Sequence, residues 1–522
     1  MIRAAAAIAL LATLAAVLGG RVGLGSRTPG GVGGAGGARS KTHTEEAARW
    51  ADQTELRPLL FREPIPRGRL ALGTLGNRLV AAEARHSVLV VGPTQSGKTS
   101  GLAVPAILEW EGPVLAVSVK TDLLRNTINW RRNLGRAWIY DPAEVTGLPA
   151  SFWTPLAAAM TWTGARRTAS ALTDVARSSA GTLTDGDFWY STAAKLLAPL
   201  LHAAALSGRT MADVVRWVDD QETIEVLDAL ESAGADDAMR AAHAKWRRDE
   251  RQRSAVYTTA ETVVDVFADP AVARSADPRA CAITAGRLWP SLGSPGEIQI
   301  EPACLPGSMD TIYLCAPVTE QRRLRPLFAT LVNQVVTAAF EMSNRNGAPL
   351  DPPFLVVLDE AANIAPVAEL DELAATAAGH GVQLVTVWQD FSQISARYGP
   401  RAGTVVNNHR AKLFLSGIAD PNTLEHASTL AGDAERQVST VTSDRKGGSS
   451  TSSSLSPRKL LPPDALRRLP PFEAVLLTGH LPPVRLGLRP WQQDRELFAR
   501  ATWPPQEVVD SPRYVEDLGC LG

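Results

Sequence analysis

The sequence carries no excess of either charge: 53 basic residues stand against 54 acidic, a net of −1. No global basic field therefore draws the chain onto nucleic acid or anionic lipid, and any such contact must come from a local patch. Cysteine is scarce. Cys281, Cys304, Cys315 and Cys520 are scattered, none belongs to a C-x-x-C pair, and the eight histidines do not cluster with them at ligand spacing. Neither a disulfide framework nor a structural zinc site is supported. There is no internal repeat, and long uncharged apolar stretches are confined to residues 4–20. What remains is an enzyme-sized globular chain of 522 residues, long enough for roughly two to four domains.

The chain is organised around Gly92-Pro93-Thr94-Gln95-Ser96-Gly97-Lys98-Thr99, which follows the apolar run 88–91 and leads through Ser100 into the helix-compatible stretch 101–110. A buried strand, a glycine-bearing loop and a helix N-terminus build a phosphate cradle, because loop N–H groups and the helix dipole converge on one anion. The pattern is a Walker A P-loop. Gly92 and Gly97 permit the turn, Lys98 reaches the β- and γ-phosphates, and Thr99 holds Mg²⁺ through its hydroxyl. The expected cofactors are ATP and Mg²⁺.

Short apolar runs at 113–119 and 136–140 alternate with helical stretches, and further runs follow at 310–316, 354–358, 381–388 and 411–415. Such alternation predicts a parallel sheet covered on both faces, with ligands at the carboxyl ends of its strands, where Lys120 and Asp141 fall. The run 354–358 ends in Asp359-Glu360. Beside a P-loop, Asp359 is expected to position the metal and Glu360 to polarise the attacking water. Gln389, at the end of the next strand, is placed to sense the γ-phosphate. The nucleotide domain is thus read in two parts, 51–150 and 281–495. Edge strands are expected near 70–72 and 78–81.

Between these parts, residues 151–280 lose the strand pattern. Phe188, Trp189, Ala193, Leu196, Leu197, Leu200 and Leu201 recur at three- and four-residue spacing, which marks one buried helix face. Further helices are expected at 211–218, 223–233, 237–253 and 255–267, giving an inserted all-α domain. The stretch 239–253 gathers Arg240, Lys245, Arg247, Arg248, Arg251 and Arg253, which reads either as a contact for DNA or a partner or as a solvated helix face.

At the amino terminus, residues 4–20 are seventeen uncharged residues, followed by Arg21, Arg27, Arg39 and Lys41. Charge on the carboxyl side favours a membrane anchor over 1–22 that leaves the bulk of the chain in the cytoplasm. A cleaved export signal is the competing reading, and it would strand a nucleotide site away from ATP. A glycine-rich flexible linker is expected over 23–50, a flexible polar excursion over 443–456, and an acidic tail over 496–522.

The P-loop, the Lys120 turn, Asp141-Pro142, Leu358-Asp359-Glu360-Ala361, Gln389 with Gln393 and Tyr398-Gly399, and the stretch 460–466 together resemble the type IV secretion coupling proteins of the TraG/TraD kind. The resemblance covers roughly 85–491. It implies an α/β, RecA-like P-loop domain with an inserted all-α domain and an N-terminal membrane anchor. It also implies a homo-hexameric ATPase in the plasma membrane that passes DNA, single- or double-stranded, and its relaxase from the relaxosome to a type IV secretion channel. A DNA translocase of the FtsK/HerA kind and a nucleotide-gated cargo receptor that does not hydrolyse ATP are the alternatives. The sequence departs from the family by having one apolar run where relatives have two membrane helices, Gln95 where many have glycine, and no arginine at 375–380. Arg397, Arg401 or Arg410 would then act in trans.

Overall fold

The computed structural model describes residues 47–62, 64–179, 186–277, 299–361, 367, 369–443 and 449–504. The expected anchor over 1–22, most of the linker and the tail beyond 504 lie outside them. Among the described residues no helix is long and apolar enough to cross a membrane.

Seven parallel strands form the centre: β4 (Val88–Val91), β5 (Val114–Ser118), β6 (Ala137–Tyr140), β7 (Thr311–Cys315), β8 (Phe354–Leu358), β9 (Val382–Trp388) and β10 (Ala411–Leu415). They lie in the order β10-β4-β9-β8-β5-β7-β6. All residues of β4, β5, β7, β8 and β9 are buried, as strands covered on both faces must be. Beyond β10 the sheet turns antiparallel through β13 (Glu473–Thr478), β14 (Val484–Gly487), β2 (Ala71–Leu75), β3 (Arg78–Ala81) and β1 (Leu60–Phe61). The strand β9 lies between β4 and β8, so the P-loop strand and the strand ending in Asp359 are two strand spacings apart, about 10 Å.

The helical insertion joins β6 to its parallel neighbour β7 and runs from Trp162 to Ser275. Its core is continuous with one face of the sheet: Leu172, Leu196, Leu200 and Phe267 share a buried cluster with Leu314, Val356 and Trp388. One helix boundary lies earlier than expected. In place of helices over 237–253 and 255–267 the chain forms Asp236–Trp246 and Glu250–Val264, broken where the Asp249 carboxylate accepts the Gln252 N–H at 3.0 Å. An aspartate at an N-cap satisfies donors that a continuous helix would have used internally, and the basic run had masked it.

Two other stretches differ from expectation. The polar excursion is a hairpin, β11 (Asp433–Ser443) paired antiparallel with β12 (Ser449–Lys459) in unbroken register. Hydrogen bonding along the backbone needs no apolar side chains, which is why polarity alone misled. At the other end, the Ala48 N–H donates to Asp433 O (3.0 Å) and the Ala51 N–H to Pro483 O (2.9 Å), so the chain is fixed to the body before residue 50.

Candidate functional site

The loop after β4 curls back on itself. Lys98 Nζ donates to Gly92 O (2.5 Å) and Pro93 O (2.7 Å), and Ser96 Oγ donates to Pro93 O (2.8 Å). Two residues in it have left-handed backbones, Gly97 at φ 89° and Gln95 at φ 64°. A glycine adopts this freely and a glutamine does not. A side chain at 97 is also excluded by space, because its Cβ would lie 2.9 Å from Phe472 Cδ1. At position 92 a Cβ would meet Ser96 Oγ at 2.7 Å and Leu415 Cβ at 2.9 Å. The helix that follows starts with a wide π turn, Thr99–Ala103, before the regular Val104–Glu109. Pro105 accounts for it, since a proline lacks an N–H and its ring crowds the carbonyl four residues back.

Across the intervening strand β9, the loop reaches Asp359. Thr99 Oγ1 donates to Asp359 Oδ2 at 3.1 Å, and Ser118 Oγ, at the end of β5, approaches the same oxygen at 3.4 Å. The Asp359 N–H is held by Val117 O at 2.9 Å, so the carboxylate stands on a rigid strand end. Asp359 is 5% exposed, and burial pushes its carboxyl up to about 6, against the pull of the Thr99 hydroxyl. Burial lowers Lys98, which Asp359 and Glu360 oppose with their charge. Glu360 follows with φ 62°, a left-handed backbone that a glutamate adopts only when its surroundings impose it. The next N–H, of Ala361, donates to Val387 O (3.3 Å) and ties this turn to β9. A hydroxyl and a carboxylate at hydrogen-bond distance form a hard oxygen donor pair of the kind Mg²⁺ takes, completed by phosphate and water.

Gln389 directly follows the residue whose carbonyl accepts the Gly92 N–H (3.1 Å), which places it beside the root of the loop. Its own N–H donates to Gln393 Oε1 at 3.0 Å. Thus Gly92, Pro93, Thr94, Gln95, Ser96, Gly97, Lys98, Thr99, Ser100, Asp359, Glu360 and Gln389 come from three strand ends on one edge of the sheet. Asp141 is not among them: its carboxylate accepts the Val145 and Thr146 N–H groups (3.1 and 2.7 Å) and closes a turn at the far strand β6. Lys120 lies within electrostatic reach of Lys98. Of the three arginines, Arg401 pairs with Asp371 (3.2 Å) and Arg410 with Glu83, while Arg397 is half-buried on the helix Phe391–Tyr398.

Sequence reasoning missed Ser118 and the second layer around the loop. The signal for Ser118 is a hydroxyl interrupting the apolar run of β5 at its carboxyl end. The second layer comes from the far end of the chain: Phe472 and Leu488 pack on Gly97 and Gly101, and the Trp491 N–H donates to Ser100 O at 3.1 Å. No local pattern announces contacts between residues so far apart in the sequence.

Two families match the sequence: one described as type IV secretory system conjugative DNA transfer, over residues 52–276, and one described as the TraM recognition site of TraD and TraG, over residues 353–471. One conjugal transfer protein TraG of Escherichia coli is 25% identical over 93% of this chain and 82% of its own length. Another from the same organism is 26% identical over 73% of this chain, which spans 62% of that relative. Among solved structures, the plasmid coupling protein TrwB in complex with ADP and Mg²⁺ superposes with a TM-score of 0.58 at 19% identity, covering 88% of this chain and 97% of that one. TrwB with a non-hydrolysable ATP analogue gives 0.58 at 20% identity, over 85% and 94%. At such identity the likeness establishes the fold alone, an α/β, RecA-like arrangement.

Proposed function

Because the chain belongs to the coupling proteins of type IV secretion systems, we propose that it is the ATPase that delivers DNA, or DNA with its relaxase, to a conjugative secretion channel. The observation that carries the enzymatic part is the 3.1 Å contact from Thr99 to Asp359, which joins loop and strand end into one site. Mg²⁺ bound there supplies charge neutralisation for the β- and γ-phosphates. The protein's part is to hold and orient. The loop N–H groups and Lys98 bind the phosphates, Thr99 and Asp359 hold the metal, and Glu360 accepts a proton from the attacking water. Gln389, beside the root of the loop, reads whether the γ-phosphate is present.

The same reading gives the chain an anchor in the plasma membrane through residues 1–22, a cytoplasmic body, and a homo-hexameric ring in which Arg397, Arg401 or Arg410 of one subunit serves the next. Its partners are the relaxosome and the secretion channel. For DNA, the support is local: Lys245, Arg247, Arg248 and Arg251 cluster on the helical insertion and make no ion pair among the described residues. Burial first, then the neighbouring charges of Arg248 and Lys195, lowers Lys245.

Steady-state ATP hydrolysis by the full chain, with and without DNA, tests the proposal. Turnover is expected to rise with DNA and to vanish in Lys98→Ala and Glu360→Gln, with Glu360→Gln still binding ATP. A chain that binds MgATP yet never turns it over, even with DNA at ring-forming concentrations, is a gated receptor and not a motor.

A further inference from the structure

We propose that Phe472 is the stacking platform for the purine base of the nucleotide held by the Gly92–Thr99 loop, an inference that rests on the P-loop reading above. Asp359, which holds the metal in that reading, and Ser118, whose hydroxyl approaches the same carboxylate, stand at the ends of β8 and β5, on one flank of the loop. A nucleotide whose β- and γ-phosphates meet the metal on that flank sends its nucleoside toward the other flank, over β10 and β13. There stands Phe472. It precedes β13 by one residue, just past the register pair Leu415–Ala474, and so sits beyond the carboxyl end of β10 on the same edge as the loop.

Three features single out this ring. It lies directly against the loop, since a Cβ on Gly97 would be 2.9 Å from its Cδ1 and 3.1 Å from its Cε1. It remains 38% exposed, where an aromatic that merely filled a gap would be covered. Its backbone has φ 62°, an unfavourable conformation for an aromatic residue, fixed by the Leu488 N–H donating to Phe472 O at 2.7 Å. An exposed aromatic face held at a fixed place beside a phosphate cradle is what base stacking requires, and stacking accepts any purine. Trp491, whose backbone N–H donates to Ser100 O, already lies nearly parallel to Phe498, at an interplanar angle of 20°.

Calorimetric titration of the full chain in Mg²⁺ with ATP, GTP and inorganic tripolyphosphate tests this. Phe472→Ala and Phe472→Leu are expected to weaken ATP and GTP alike, by about 10- to 100-fold, and to leave tripolyphosphate within twofold. Phe472→Trp keeps all three affinities. Unchanged ATP binding in Phe472→Ala, or an equal loss of ATP and tripolyphosphate, overturns the proposal, the second outcome meaning that the ring only shapes the loop. Lys98→Ala separates the two levels: it is expected to weaken all three ligands. If Lys98→Ala leaves them unchanged, the P-loop reading fails, and the platform with it.

Discussion

Gln95 is the residue of the Gly92–Thr99 loop where backbone strain is plainest. Its φ of 64° places a β-carbon in the left-handed region, which costs about 1 kcal/mol relative to glycine. Gln95→Gly relieves this strain and is expected to raise the thermal midpoint, by up to about 1 kcal/mol of stability. Differential scanning of the two proteins in the absence of nucleotide checks it, and a lower midpoint shows that the strain is not borne at this position. Gly97 behaves in the opposite sense. Gly97→Ala combines a φ of 89° with a close approach to the Phe472 ring, and a loss of about 1–3 kcal/mol is expected in the same assay. The glycines and the lysine of this loop were legible from spacing alone, because phosphate binding demands those residue types. The left-handed turn at Gln95 was not, since the sequence there breaks the usual glycine preference.

At the scale of elements, two buried polar groups pin the sheet. Arg131, on the helix Asp122–Leu134, is fully buried and donates to the carbonyls of Trp110, Gly112 and Met309 and to Thr311 Oγ1, at 2.6–2.9 Å. It gathers the loops that enter β5 and β7. Arg131→Met leaves three carbonyls and a hydroxyl without their donor, and a destabilisation of about 3 kcal/mol or more is expected from denaturant unfolding. His409 fastens β9 to the turn before β10. Its Nδ1 lies 2.7 Å from Val405 O and its Nε2 3.0 Å from Thr386 Oγ1, while Trp388 Nε1 donates to the same hydroxyl at 3.0 Å. The ring is wholly buried, and burial pushes its pKa down from 6.5 to about 4. The unfolded chain therefore takes up a proton on His409 in a pH range where the folded chain does not. The associated stability is complete above about pH 6.5 and is lost progressively as pH falls to about 4, a change of about 3 kcal/mol. Thermal midpoints of wild type and His409→Met across pH 4–7 check this: the wild type should lose more than the variant over that window. Strands were the most legible elements, because a fully buried strand must be an unbroken apolar run. The position of the helix break, at Asp249 instead of 254, and the hairpin after Ala431 were hidden by charge and by polarity, neither of which forbids structure.

For the whole molecule, residues 489–500 pack against the helix that follows the Gly92–Thr99 loop. Arg489 joins Glu109, at the end of the P-loop helix, to Asp494 (2.8 and 2.7 Å), and Arg500 donates to Leu108 O at 3.0 Å. The short helix Arg495–Ala501, in a stretch read from sequence as the start of a tail, thus braces the P-loop helix. The helical insertion lies in the crossover from β6 to β7, and its basic cluster gives a measurable consequence if DNA is the cargo. The logarithm of DNA affinity falls linearly with the logarithm of salt concentration, and replacing Arg247, Arg248 and Arg251 by Ala is expected to reduce that slope by about 2–3. Fluorescence anisotropy over a salt series measures it. An unchanged slope places the DNA contact elsewhere.

Sequence by itself determined the motifs: the P-loop pattern, the acid pair at the end of an apolar run, and the alternation that makes a parallel sheet are set by short stretches, because each depends on neighbours along the chain. Tertiary structure decided what those stretches share. It brought Thr99 to Asp359 across β9, added Ser118 to the same oxygen, and closed the loop with Phe472, Leu488 and Trp491. Strand order is the physical reason. A parallel sheet aligns the carboxyl ends of strands that are hundreds of residues apart, and only the pairing of strands, which no local pattern encodes, determines which ends become neighbours.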